Sequence, residues 1–148
     1  MQKILTIIRG LPGSGKSSYA ESIRGNNPVC SADDFFIING VYTFDGSKLG
    51  MAHADCQSRV NAALSTTDSG VIVANTFTCR WEMEPYLSMA ENHNARVVVI
   101  DHFDGGMNDA TLASTNVHGV PESSIAAMRA RWEHDWRAGN PVAPWLRR

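Results

Sequence analysis

One run of eight residues carries the most specific chemistry in the chain. Gly10-Leu11-Pro12-Gly13-Ser14-Gly15-Lys16-Ser17 follows the pattern G-x-x-x-x-G-K-[ST]. Glycines let a backbone curl until its N–H groups point inward, and such a nest holds phosphate oxygens. A helix beginning at Lys16 adds the partial positive charge of its N-terminus. Lys16 is then expected to reach the β- and γ-phosphates, and the Ser17 hydroxyl to ligate Mg²⁺. The segment expected to hold a nucleoside triphosphate is Leu11, Pro12, Gly13, Ser14, Gly15, Lys16, Ser17 and Ser18.

A second set of residues suits an acceptor. Phosphoryl transfer to an alcohol needs a group that orients the hydroxyl and takes its proton. Asp33 and Asp34 fall at the end of an expected strand, and open α/β sheets bind ligands beyond the carboxyl ends of their strands. The plainer reading of the pair is a turn or helix cap. Asn75 and Thr76 follow the next strand and either hold phosphate or water or close a turn. Arg80 suits a bidentate phosphate contact or a solvated surface. Phe35, Phe36, Tyr42 and Phe44 offer faces for stacked bases, but a cluster that closes a hairpin is the favoured reading. Trp81, Trp132 and Trp136 read as packing residues, and Trp145 as an anchor for the tail.

The elements that must place these groups follow from hydrophobic periodicity. Ile4 to Ile8 is a short β-branched run, expected as a strand buried on both faces. Lys16 to Arg24 is expected as a helix with Tyr19, Ala20 and Ile23 on one side, ended by Gly25-Asn26-Asn27-Pro28. Val29 to Ala32, Val71 to Ala74 and Arg96 to Ile100 are further strands. Phe35 to Phe44 surrounds Asn39-Gly40, a hairpin turn signal. Helices are expected over Leu49–Leu64, Trp81–Glu91, Asp109–Thr115 and Glu122–Trp136, the last after Pro121. Strands alternating with helices predict an α/β fold with a parallel sheet of about four strands and right-handed crossovers, in one domain spanning residues 1–148.

Composition bounds the partners. The chain has 148 residues, 43% hydrophobic and 19% charged, as a folded domain requires. The net charge of −2 gives no global attraction to nucleic acid, so such a site needs local basic groups. From Arg129 onward five arginines stand against Glu133 and Asp135. Cys30, Cys56 and Cys79 form no C-x-x-C pair, which argues against a disulfide scaffold or zinc site and for a reducing cytoplasm. The apolar N-terminal run is too short for a signal h-region or a membrane span. The expected state is a monomer or small homo-oligomer away from membranes.

Several blocks together resemble one family. Gly10 to Ser18 and Ser31-Ala32-Asp33-Asp34-Phe35-Phe36 resemble the kinase domain of phage polynucleotide 5′-kinase and its small stand-alone relatives. Ala52-His53-Ala54-Asp55-Cys56, Val71 to Thr78, Trp81 to Tyr86 and Asn116-Val117-His118-Gly119-Val120-Pro121 are similar to that branch too, so the resemblance runs from Ile4 to about Glu133. It implies a P-loop NTPase of kinase type, with helices on both sheet faces, a small helical lid, and ATP with Mg²⁺ as cofactors. It implies that Asp33 is the general base and that Asp34 is structural. It brings His53 toward the acceptor side, where the ring either contacts substrate or packs against the sheet. The implied acceptor is a nucleic acid or nucleotide: a DNA or RNA 5′-OH, or a hydroxymethylated base in phage-type DNA modification, in a host cytoplasm if phage-encoded. A small-molecule kinase acting on a nucleoside, sugar or antibiotic, and a nucleotide-binding module with little transfer, are the alternatives. Two departures stand out. The third strand of the family commonly ends in an acidic residue, where this chain has Ala74. The lid usually carries an arginine where this chain has Ser114-Thr115-Asn116, leaving Asn116, His118, Arg129 and Arg131 as lid candidates.

Overall fold

The computed structural model describes residues 2–148. Four parallel strands form one sheet in the order β2-β5-β1-β6: β1 (Ile4–Gly10), β2 (Val29–Cys30), β5 (Gly70–Asn75) and β6 (Arg96–Phe103). Helices α1 (Lys16–Ile23), α2 (Leu49–Thr66) and α3 (Arg80–Asn92) cover its faces. Strand alternation decides which side chain meets which helix. Leu5, Ile7, Val71 and Val73 point to one face, where Ala52, Cys56, Val60, Leu64, Met83 and Tyr86 close over them. Ile8, Ile72 and Ala74 point to the other, against Ala20 of α1. Tyr19 and Ile23 remain 37% and 41% exposed, so Ala20 is the only fully buried residue of α1.

The order of strands creates the crevice. From β1 the chain runs by α1 to the edge strand β2, comes back to β5, and crosses by α3 to β6 on the far side of β1. The connections diverge at β1, so its carboxyl end opens into a cleft. A third apolar cluster lies near that end. Leu11, Leu112, Ile125 and Trp132 tie α4 (Asp109–Thr115) and α5 (Glu122–Arg131) to the body.

The hairpin forms as expected, β3 (Ile37–Ile38) pairing with β4 (Val41–Tyr42). Asn39 and Gly40 take φ of 52° and 79°, the left-handed pair that a two-residue hairpin turn of this hand requires. Most boundaries shift by one or two residues, and three shifts have a clear cause or consequence. The second strand stops at Cys30, because Ser31 caps a short 3-10 turn, Ala32–Phe36. The fourth runs on to Phe103 beside Gly10. The last helix ends at Arg131 rather than Trp136: Trp132 turns extended, with ψ of 124°, and its ring is buried. Trp145 touches Trp81 edge-on at 5.2 Å but stays 73% exposed, so the tail is held loosely. No described helix is long and apolar enough to cross a membrane.

Candidate active site

The phosphate loop springs from the sheet between two neighbours. Gly10 N–H donates to the Thr76 carbonyl at 3.2 Å, and Leu11 N–H to the Phe103 carbonyl at 2.8 Å. Gly13 has φ of +82°, and a Cβ there would lie 2.6 Å from the Leu112 carbonyl oxygen. Only glycine lets α4 pack this closely on the loop. Gly15, at φ of 95°, begins α1 without any side-chain cap, so N–H groups of the first turn remain free for an anion. The Ser14 hydroxyl is buried with no protein partner. This donor set fits phosphate. Desolvation lowers the Lys16 ammonium to about 8, while the charge of Asp33 opposes that shift. An entering anion would favour the charged form again.

Asp33 is placed by its neighbours. Ser31 Oγ accepts from Asp33 N–H at 3.2 Å, and Asp34 accepts from Ser31 N–H at 3.1 Å, a reciprocal cap of the 3-10 turn. Arg59 of α2 fastens Asp34 at 3.3 Å and donates to the Ser31 carbonyl at 2.7 Å. Asp34 is thereby occupied within the turn. Asn75, almost fully buried, accepts from Ala32 N–H at 2.8 Å and reaches Cys56 Sγ at 3.7 Å. Both ends of its amide are engaged by protein, so Asn75 sets the height of the turn above the sheet. Thr76 is half-buried and contributes its carbonyl to Gly10.

Asp33 itself faces a cavity of about 260 Å³, shared with Ser17, Glu21, Ala74, Val117 and His118. Its Oδ1 accepts from the Tyr42 hydroxyl at 3.1 Å, and its Oδ2 lies 3.4 Å from His118 Nε2. Ala74 brings only a methyl group to this wall. No group of three or more His, Cys, Asp or Glu converges on a metal position among the described residues. For Mg²⁺ the residues present offer the Ser17 hydroxyl and the nearby Asp33 carboxylate. Such a sparse set suits an ion that is held largely by phosphates and water.

The lid is stapled from within. Asn116 donates to the carbonyls of Leu112, Ala113 and Val120, and accepts from Val120 N–H at 2.8 Å. That ring carries His118 to Asp33. The arginines go elsewhere. Arg129 binds Asp104 and Asp109, each at 2.8 Å, and the Met107 carbonyl. Arg131 donates to Thr78 Oγ1 at 3.2 Å. Arg80 is taken by Glu84 at 2.8 Å and by the Arg137 carbonyl. None of the three lines the cavity, and neither does His53, half-buried on α2. The aromatics form the expected cluster: Phe36 is buried, with Phe35, Tyr42 and Phe44 edge-on around it.

Two residues escaped sequence reasoning. Tyr42 was legible as an aromatic that stacks a base or closes the hairpin, and not as a partner of Asp33. Arg9, the residue after the apolar run Ile4 to Ile8, is fully buried. It binds the carbonyls of Phe77, Thr78 and Glu133 and the Asp101 carboxylate, and it lies 4.1 Å over the Trp132 ring.

A family model described as an AAA domain matches residues 5–134. The chain belongs to the AAA domain family. Over 134 residues the chain is 37% identical to human NEDD4-binding protein 2, covering 88% of the chain but only 8% of that protein. A chain of the Pnkp1/Rnl/Hen1 RNA repair complex matches with a TM-score of 0.66 at 18% identity, covering 88% of this chain and 44% of that one. A gluconokinase from Sinorhizobium meliloti 1021 matches with a TM-score of 0.53 at 18% identity, covering 89% and 75%. At that identity the likeness is one of fold. The AAA domain has the α/β fold of P-loop kinases.

Proposed function

We propose that this AAA domain is a phosphotransferase that moves the γ-phosphoryl group of ATP to a hydroxyl of a nucleic acid or nucleotide. The observation that carries this reading is the shared cavity: Ser17 of the phosphate loop and Asp33 line the same space. Lys16 and the uncapped first turn of α1 bind the phosphates. Ser17, with Asp33 nearby, would hold Mg²⁺, which when bound offsets charge on the phosphates. Asp33 orients the acceptor hydroxyl and takes its proton. His118, the lid side chain that reaches Asp33, would serve in place of the arginine that the family usually carries where this chain has Ser114-Thr115-Asn116.

The acceptor in this reading is a DNA or RNA 5′-OH or a hydroxymethyl group on a modified base, and kinship with the phage branch is part of the proposal. Incubation with labelled ATP and a panel of 5′-OH and hydroxymethylated nucleic acids tests it. Label transfer to at least one is expected. Transfer to a metabolite and to no nucleic acid would sink the nucleic-acid claim. One observation favours a small-molecule acceptor instead: the cavity wall carries Glu21, Asp33 and Asp34 but no lysine or arginine. Salt separates the two, because the acceptor KM of a polyanion rises with ionic strength and that of a neutral alcohol does not. The thiols of Cys30 and Cys56, buried and pushed up by desolvation, suit the cytoplasmic setting of this proposal.

A further inference from the structure

We propose that Tyr42 is the positioning residue for Asp33, fixing which carboxylate oxygen meets the acceptor hydroxyl. The inference rests on the phosphotransferase reading above. The Tyr42 hydroxyl donates to Oδ1 at 3.1 Å, and Oδ2 is left toward His118 of the lid. The phenol is itself held by packing. Its ring lies 4.2 Å from the His118 ring and 6.2 Å from that of the buried Phe36. Phe36 belongs to the main core, so Tyr42 ties the hairpin, the lid and the core to one carboxylate.

Other titratable groups also surround Asp33. Lys16 acts on it from α1, His118 from the lid, Asp34 from the same turn, and Glu21 lines the cavity they share. Tyr42 differs in kind from these. Its phenol is a neutral donor, and its hydroxyl already meets Oδ1. A hydrogen bond to the ionised form favours that form. In transfer, the acceptor oxygen bonds to the γ-phosphorus and the bond to the β-phosphate oxygen breaks. The hydroxyl proton passes to Oδ2. With Oδ1 held, Asp33 cannot swing away from that geometry.

Tyr42→Phe keeps the ring and deletes the donor. The expected result is a kcat lower by about tenfold with little change in the KM for ATP. In an Asp33→Asn background the same change should cost little more, because the Tyr42 hydroxyl acts through Asp33. A Tyr42→Phe protein that matches the wild type in kcat, or that loses as much again in the Asp33→Asn background, would overturn the inference. If the wild type phosphorylates no acceptor, the phosphotransferase reading falls separately. The contact is then decided by the carbon-13 chemical shift of the Asp33 carboxyl in both proteins at one pH. A displaced resonance in Tyr42→Phe supports it, and an unchanged one refutes it.

Discussion

Asp33→Asn keeps an oxygen for the Tyr42 bond and removes the proton acceptor, so it separates placement from chemistry. We expect the transfer rate to drop by roughly 10²–10⁴ while ATP affinity holds, read by single-turnover assays beside calorimetry. A turnover unaffected by this change would remove Asp33 from the role of general base. Lys16 makes a prediction in pH. Its folded pKa is about 8, against 10.5 for the free side chain. The ammonium that attracts phosphate is lost as pH rises through about 8, so ATP affinity should fall steadily across pH 8 to 9.5 in a binding titration. Stability moves the opposite way. The unfolded chain holds this proton more tightly, so folding gains as pH rises from about 8 to 10.5. Lys16→Met should abolish that gain in urea titrations across the same range.

At the scale of elements, the loop and the lid depend on contacts that small substitutions break. Gly13→Ala places a methyl group against the Leu112 carbonyl in a backbone conformation that favours glycine. A strained site of this kind costs about 1–3 kcal/mol, so urea denaturation should show a loss of that order. ATP affinity should fall as well, since α4 must retreat from the loop. The hairpin was legible because Asn39-Gly40 has a specific backbone chemistry. Its purpose was not, because nothing local says that Tyr42 meets Asp33, nine positions earlier. The lid arginines show the same limit. Arg129 and Arg131 stand on the expected helix, yet the residues that engage them lie elsewhere in the chain: Asp104 after β6, Asp109 at the start of α4 and Thr78 after β5.

For the whole molecule, Arg9 is the joint. It gathers the turn after β5, the end of β6 and the segment after α5 around the last residues before the phosphate loop. Burial lowers its pKa, while Asp101 and Glu133 oppose that shift. Arg9→Met leaves three carbonyls and one carboxylate without their donor. Breaking a buried pair costs about 3–5 kcal/mol, and the low end applies here because Asp101 remains one-third exposed (33%). The urea midpoint of the variant should fall accordingly, with the P-loop residues intact in sequence.

The sequence by itself determined the phosphate loop, the alternation of strand and helix, and the hairpin turn. Each is governed by short-range rules: glycine's freedom, hydrophobic period and turn conformation. Tertiary structure alone decided the strand order that opens the cleft beside β1, and the partners of Asp33 and of the arginines. Those depend on residues far apart in the chain meeting in space. No local spacing encodes that Asn75 lifts the Asp33 turn, that His118 closes over it, or that Arg129 is already bound.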